Sequence, residues 1–245
     1  MKLRLLTIKP SNPGRNMGNS INQKSVGFIH TTPTTIGLAD KFMQTYLPDT
    51  QIIHKYDGSV KVDNFTSPIG VTPKKNLLRY AVFADELERA GCDAIVSCCS
   101  LMPRAVKYAK EVVSIPFIQL DAIVLDVVVE NYSNIGIINT TEYVIPYIEE
   151  GLQARAAKLN KAIEMTFSNN NTALDLFNAG KYDEHNKIVL EDVKKLAEKG
   201  VECILMGQIP FALLDEALKN MNLGIPIHCA GEVAFRNIKE IIGNR

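Results

Sequence analysis

Short apolar runs alternate with amphipathic stretches along most of the chain. The apolar runs are bounded mostly by Gly, Pro, Asn or Ser, which predicts strands. Between them the spacing is helical, as for Val189, Val193 and Leu196 within residues 183–200. Strands that alternate with helices predict mainly parallel sheets flanked by helices, so the predicted fold class is α/β. The predicted strands are residues 2–8, 25–30, 51–56, 93–98, 115–120, 134–139, 162–166, 201–206 and 225–229.

The second half of the chain repeats segments of the first half in the same order. Two pairs of segments are separated by one and the same offset, and a third pair differs from it by a single position, a shift that a loop absorbs. The repetition predicts two pseudo-symmetric lobes. We expect residues 1–120 with 231–245 to form the N-terminal lobe and residues 121–230 the C-terminal lobe. The repeated pairs are 27–32 with 136–141, 91–100 with 200–209, and 115–117 with 225–227.

Polar and nucleophilic side chains follow the predicted strands in both lobes. Parallel sheets bind ligands beyond the carboxyl ends of their strands, so two facing lobes would gather these side chains around one cleft. Residues 57–73, between two strands, have too few apolar positions to predict an element; this connection is either a lid or a plain surface loop. The side chains at the strand ends are His30, Thr31, Thr32, Cys98, Cys99, Ser100, Asn139, Thr140, Thr141, Gly207 and Gln208.

Charge and composition narrow the possible partners and cofactors. The 27 basic residues balance the 27 acidic ones, so no net field favours nucleic acid or an acidic membrane. No window approaches 18 apolar residues and no signal-peptide core is evident, which leads us to expect a cytoplasmic protein without a membrane span. Five cysteines indicate free thiols rather than a disulfide scaffold. Without a nucleotide-binding glycine motif or metal-ligand spacing, we expect neither a cofactor nor a metal.

Cys98 and Cys99 are the most chemically distinctive residues. They follow a predicted strand, and Pro103 suits the first turn of a helix behind them. The positive end of that helix would lower the thiol pKa and make a base or a nucleophile. The alternative is that one or both cysteines are buried packing groups, as most free cysteines are. The spacing alone leaves both interpretations open.

Taken together, these motifs resemble the aspartate/glutamate/hydantoin racemase superfamily over residues 25–231. The resemblance implies two pseudo-symmetric α/β lobes and a cofactor-independent reaction on a small carboxylate. In that superfamily a thiol from each lobe approaches opposite faces of the substrate's α-carbon. A homodimer is common among such proteins, so we expect one here. The motifs that carry the resemblance are Gly27–Thr32, the Cys-Ser pair with Leu101–Pro103, Ile115–Phe117 leading to Asp121, Ile135–Thr141 and Ile204–Gln208.

The resemblance also implies roles for particular residues. Ser100, Thr140 and Thr141 would hold the substrate carboxylate, with Thr31 and Asn139 at the margin; helix capping is their structural alternative, and one residue can do both. His30 stands where amino-acid racemases of the superfamily usually have an acidic residue, and its imidazole could pair with the thiolate.

Two interpretations of the spacing compete for the reactive thiol. The superfamily's strand spacing, counted forward from Asp93, places the reactive thiol at Cys99, which the repeat pairs with Gln208. Counted back from the motif at residues 101–103, the reactive thiol is Cys98. We expect Cys99, because a one-residue change fits more easily in a loop than in a buried strand.

The second lobe departs from the two-thiol pattern, since Gly207 and Gln208 stand where the partner cysteine would be. A neutral amide does not transfer protons at pH 7, but it can donate hydrogen bonds to an enolate-like oxygen. We therefore expect a racemase or isomerase that uses one thiol. The alternatives are a one-thiol decarboxylase, a cis-trans isomerase and a non-catalytic ligand-binding protein. His30 and His228 are candidate sources of a second base, while His54 and His185 show no constellation around them.

Overall fold

A computed structural model describes residues 23–243 of the chain. Within these residues, eight strands form two parallel four-stranded sheets, ordered β2-β1-β3-β4 and β6-β5-β7-β8. All eight lie within or overlap predicted strands; the predicted strand at residues 2–8 is outside the described residues. The strands are β1 (Ser25–His30), β2 (Gln51–Tyr56), β3 (Ala94–Ser97), β4 (Phe117–Gln119), β5 (Asn134–Asn139), β6 (Glu164–Asn169), β7 (Cys203–Met206) and β8 (Ile227–His228).

The two sheets repeat each other in strand order and in register. In the first sheet Val26 is paired with Ala94, and in the second sheet Ile135 is paired with Cys203. Both partners of the second pair are displaced along the chain by the offset that relates the repeated motifs. The predicted α/β class and the two lobes are therefore confirmed. We call the part built on β1–β4 the first lobe and the part built on β5–β8 the second lobe.

Helices follow the strands in both lobes and cover both faces of each sheet. Two short 3-10 helices, Glu142–Val144 and Ile209–Leu214, stand at the ends of β5 and β7. None of the helices that the structure describes is long and apolar enough to cross a bilayer. The α-helices are α1 (Thr34–Tyr46), α2 (Gly58–Phe65), α3 (Lys74–Arg89), α4 (Pro103–Ala109), α5 (Ala122–Asn131), α6 (Ile145–Lys158), α7 (Asn171–Asn178), α8 (Tyr182–Ala197), α9 (Asp215–Lys219) and α10 (Glu232–Gly243).

Helix α2 corrects the expectation that residues 57–73 hold no element. The Asp57 carboxylate caps the helix by accepting from the Ser59 backbone N–H at 2.8 Å. Its buried side includes only Val60 and Asn64, while Val62 is exposed. The apolar pattern is therefore weak, and packing against the first lobe supplies the stability that the helix lacks by itself.

The last helix of each repeat packs against the other lobe. Helix α5 follows β4 but packs on α6 of the second lobe, where Arg155 forms an ion pair with Asp126 at 2.6 Å. Helix α10 follows β8 but packs on α1, and its Phe235 ring stacks on Phe28 and Phe42 with centroids 6.2 and 5.0 Å away. One continuous apolar core consequently links the two sheets.

Candidate active site

A cavity lies between the lobes, at the carboxyl ends of β1, β3, β5 and β7. Its volume is about 90 Å³, several times the roughly 10–15 Å³ that a single water needs on the same measure. The space therefore admits a small organic molecule. Of the residues predicted from the sequence, those that line it are Thr31, Thr32, Cys98, Cys99, Ser100, Thr140, Thr141 and Gln208.

Helices α2 and α7, one from each lobe, form a further wall of the cavity. The Lys61 ammonium of α2 donates to the side-chain oxygen of Asn178 on α7 at 3.1 Å. The Tyr143 hydroxyl of the second lobe donates to the Phe65 carbonyl at 3.0 Å. These bonds tie α2 to the opposite lobe. The side chains that the two helices contribute to the lining are Lys61, Phe65, Leu174 and Phe177.

Both thiols at the end of β3 are buried, and this corrects the expected pKa. Burial raises the pKa of Cys98 and of Cys99 and so favours the neutral thiol at both positions. The predicted lowering by the following helix is outweighed, because burial penalises the charged form more strongly. Only at Cys99 do a hydroxyl, Thr31, and a backbone N–H, Leu101, act in the opposite direction.

Gln208 faces the cavity from the second lobe with its amide orientation set by Thr140. The Gln208 Oε1 atom accepts from the Thr140 backbone N–H at 2.7 Å and from its hydroxyl at 2.9 Å. The amide NH2 group has no acceptor in the part of the chain that the structure describes. It is therefore the end of the side chain that is available to a ligand oxygen.

The capping alternative for the hydroxyl residues is also present in the structure. The Thr141 hydroxyl accepts from the Tyr143 backbone N–H at 3.4 Å and caps the first 3-10 helix. The Ser100 hydroxyl accepts from the Ile209 backbone N–H at 3.3 Å, which joins the first lobe to the second 3-10 helix. Both hydroxyls line the cavity as well. Capping and exposure to the cavity thus coexist at these positions.

His30 does not line the cavity. It is fully buried, with Nδ1 2.8 Å from the Thr35 hydroxyl and Nε2 2.9 Å from Nδ1 of His54. His54 Nε2 lies 3.0 Å from an Asp40 carboxylate oxygen, so the two histidines, expected to be separate, form one chain of hydrogen bonds. Burial, followed by the neighbouring His54, lowers the pKa of His30 to about 3. Its link to the cavity is Thr35, which is part of the lining.

Asn139 and Gly207 lie behind the cavity wall. Asn139 is fully buried, and neither atom of its amide has a partner within residues 23–243. A Cβ atom at position 207 would overlap the Asn139 side chain and the end of Ile148, so any other residue there would force these side chains to move. Gly207 instead lines a second, neighbouring cavity of about 70 Å³ between the lobes, with Gln119 and Asp121.

Six polar or aromatic lining residues are not predicted as site residues by the sequence, namely Thr35, Lys61, Phe65, Phe177, His185 and Phe211. Lys61 and Phe65 belong to α2, whose pattern is too weak to predict a helix. His185 lies at the start of α8 and is only 6% exposed. It stands four residues before Val189, on the same face as the buried positions of that helix, and this spacing is the signal that could have found it.

The remaining candidate for a second base, His228, lies elsewhere. The His228 ring is 5.4 Å from the Tyr132 ring, and burial lowers its pKa. The neighbouring Cys229 thiol donates to the Asp215 carboxylate. Neither residue lines the cavity. Across residues 23–243, no group of three or more His, Cys, Asp or Glu side chains could hold a metal ion.

Comparison with known proteins accords with this arrangement of two lobes. The family model for Asp/Glu/Hydantoin racemase matches residues 68–238. The chain belongs to this family. No curated relative matches the chain.

Solved racemase structures share the fold at low sequence identity. Glutamate racemase from Francisella tularensis has 15% identity and a TM-score of 0.65, covering 91% of this chain and 82% of its own. An aspartate racemase homologue from Pyrococcus horikoshii has 17% identity and a TM-score of 0.66; the match covers 90% of this chain and 100% of the homologue. Allantoin racemase from Klebsiella pneumoniae has 14% identity and a TM-score of 0.62; the match covers 91% of this chain and 89% of the allantoin racemase.

Proposed function

We propose that the protein is a cofactor-independent racemase or isomerase that acts on a small carboxylate, with the Cys99 thiol as base or nucleophile. The observation that carries this proposal is the meeting of Cys99 and Gln208, from opposite lobes, in one cavity. The family of the chain supplies the reaction class, and its structural relatives are named as a glutamate racemase, an aspartate racemase homologue and an allantoin racemase.

The carboxylate of the substrate would bind to donors of both lobes. Lys61 is the cation in the lining, and Ser100 and Thr141 bring hydroxyls. The free NH2 group of Gln208 adds a donor that its bonds to Thr140 hold in place. Charge-assisted bonds of this kind are stronger than neutral ones, so an anion fits this end of the cavity better than a neutral group.

Removing the α-proton moves negative charge onto the oxygens of the substrate. A donor that is already oriented, as Gln208 is, stabilises that charge without a cost of reorganisation. Cys99 would take the proton as a thiolate. Burial raises the pKa of this thiol, and the Thr31 hydroxyl, the Leu101 N–H and the Lys61 charge act in the opposite direction.

Cys99 is the better candidate of the two thiols. Its exposed fraction is 8% against 2% for Cys98. Burial raises the pKa of Cys98, and no donor among the described residues offsets that effect. The carbonyl of Cys99 also accepts from Gln119 Nε2 at 3.0 Å, which holds the loop that presents the thiol.

The proposal is tested by proton exchange in heavy water. Both enantiomers of glutamate, aspartate, allantoin and 5-substituted hydantoins are incubated with the protein, and deuterium at the α-carbon and optical rotation are followed. We expect at least one pair to exchange and to invert. The Cys99→Ser variant should lose about 10²–10⁴-fold of the inversion rate, whereas Cys98→Ser, the matched control, should keep most of it. Equal losses in both variants, or no exchange with any compound, would reject the proposal.

A one-thiol decarboxylase or cis-trans isomerase is the second candidate function. The observation that favours it is the amide at position 208, which gives the second lobe no thiol for the opposite face of the substrate. Maleate and substituted malonates are the probes. Conversion of maleate to fumarate, or release of carbon dioxide, without α-proton exchange of the amino acids and hydantoins would select this function over racemisation.

A further inference from the structure

The second lobe does supply a titratable side chain to the cavity, and that side chain is His185. The residue belongs to α8, is buried except for 6% of its surface and forms part of the lining. Cys99 reaches the same space from the first lobe. The cavity thus has a thiol on one side and an imidazole on the other.

The hydrogen bond of His185 determines which ring nitrogen is available. Nδ1 lies 2.9 Å from the side-chain oxygen of Asn186, and an amide oxygen only accepts, so Nδ1 carries a proton. In the neutral ring Nε2 then holds a lone pair. No group within residues 23–243 bonds Nε2. It is the nitrogen that can exchange a proton with a ligand.

Two aromatic rings hold the imidazole in position. The Phe177 ring centroid lies 5.2 Å from that of His185, and the Phe211 ring stacks on it at 6.3 Å. Both phenylalanines also line the cavity. A ring held between others has few orientations, as a general acid or base requires. His185 is therefore more than a polar residue at the edge of the core.

We propose that His185 is the second acid-base residue of the site and replaces the thiol that Gln208 cannot provide. This inference rests on the proposed function and deepens it, because a second proton-transfer group on the opposite side of the substrate returns a proton to the other face of the carbon and so inverts it. Gln208 keeps the separate role of a donor to the substrate oxygens. The pair is asymmetric, with sulfur in the first lobe and nitrogen in the second.

The proton balance of the reaction is simple. In one direction the Cys99 thiolate takes the α-proton, the electron pair of the C–H bond passes into the adjacent carbonyl group, and the protonated His185 returns a proton from Nε2 to the carbon. The thiolate becomes a thiol and the imidazolium becomes neutral imidazole. In the other direction the neutral imidazole takes the proton and the thiol returns one. Exchange with water resets the two groups.

This division of work predicts complementary losses in two variants. In His185→Asn, Cys99 still removes and returns the proton of one enantiomer, so that enantiomer exchanges with deuterium but inverts at least about 100-fold more slowly. In Cys99→Ser, the other enantiomer keeps its exchange. The control is His228→Asn, which removes a half-buried histidine outside the cavity and should leave both rates unchanged.

The test uses the full-length protein and the compound of the panel that the wild type inverts. Chemical rescue supplements it: imidazole should restore inversion to His185→Ala at least about tenfold, while pyrazole, a ring of the same size and a far weaker base, should not. Wild-type inversion by His185→Asn, or loss of both exchanges without rescue by imidazole, would overturn the inference while leaving the proposed function standing. A wild type that exchanges no α-proton would reject both.

Discussion

The two lobes share a backbone plan but differ in what stands at their strand ends. Cys98 and Cys99 follow β3, whereas Gly207 and Gln208 hold the equivalent places after β7 in the second repeat. Strand order and register are the same in both sheets. The repeated backbone thus sets where the side chains meet, and the residues at those points decide the chemistry.

The last residues of β1 and β5, behind the wall of the cavity, also differ between the lobes. His30 is fully buried and both of its ring nitrogens have partners, whereas Asn139, at the equivalent place, has none in the described part of the chain. One lobe has a satisfied hydrogen-bond chain and the other a buried amide without partners. An unsatisfied buried group costs about 1–3 kcal/mol, so this position is the less stable of the two.

The largest predicted effect concerns the contrast between thiol and amide. Gln208→Glu keeps an oxygen for Thr140 but adds a negative charge to the cavity. The reaction of Cys99 with iodoacetate, an anion, should then slow by about 100-fold relative to iodoacetamide, because like charges in a buried site repel by several kcal/mol. Measuring both rates in a Cys98→Ser background assigns them to Cys99. An unchanged ratio would show that position 208 does not face the thiol.

The second prediction concerns His30→Asn, which gives the first lobe the residue that the second lobe has at the equivalent place, Asn139. The pKa of His30 is lower in the folded protein than in the unfolded chain, where it is about 6.5. The folded protein therefore loses stability as the pH falls below about 6.5, because only the unfolded chain takes up the proton. Between pH 6.5 and 4.5, the free energy of unfolding should fall by about 2–3 kcal/mol more in the wild type than in His30→Asn. Urea unfolding at several pH values measures this difference. Parallel curves for the two proteins would contradict it.

The third prediction concerns Gly207 and its equivalent, Cys98. Gly207→Ala places a methyl group against Asn139 and Ile148 and should destabilise the protein by about 2 kcal/mol. Cys98→Ala is the control, since a Cβ atom is already accommodated there and no atom is added. Thermal or urea unfolding of both variants gives the comparison. Equal stability of Gly207→Ala and the wild type would show that this wall packs more loosely than its contacts indicate.

The smallest predicted effect concerns the wall formed by α2 and α7. Lys61→Leu removes the cation from the cavity lining. It places on α2 a leucine like Leu174, which lines the cavity from α7. The iodoacetate rate at Cys99 should fall about fivefold relative to iodoacetamide, because a partly exposed cation contributes about 1 kcal/mol to one charge contact. Lys61→Arg should retain the wild-type ratio. A ratio insensitive to both changes would remove Lys61 from the anion site.

The sequence predicted the sheets well because their signals are local. β1, β2 and β5 coincide with predicted strands, since each contains β-branched or aromatic residues and has turn residues at its ends. The repeat predicted the two lobes for a related reason: a constant offset between similar segments is visible without any knowledge of packing. Parallel sheets then bring strand ends together, which is why Cys99, Thr140 and Gln208 meet in one cavity as expected.

What the sequence did not predict depends on contacts between distant segments. The thiol pKa values rise because of burial, which a helix start in the sequence does not show. His30 turns away from the cavity because Thr35 and His54 bind both of its nitrogens. His185 enters the lining only because α8 packs with that face toward Phe211.

Neither half of the chain retains all of its own helices, because α5 packs with the second lobe and α10 with the first. A polypeptide that ended after α5 would leave the surface of α1 around Phe42 uncovered and expose the apolar side of α5 to water. A single repeat could bury both surfaces only by joining a second copy about a twofold axis, each supplying its terminal helix to the other. Each side of the cleft therefore depends on a helix from the other half of the chain.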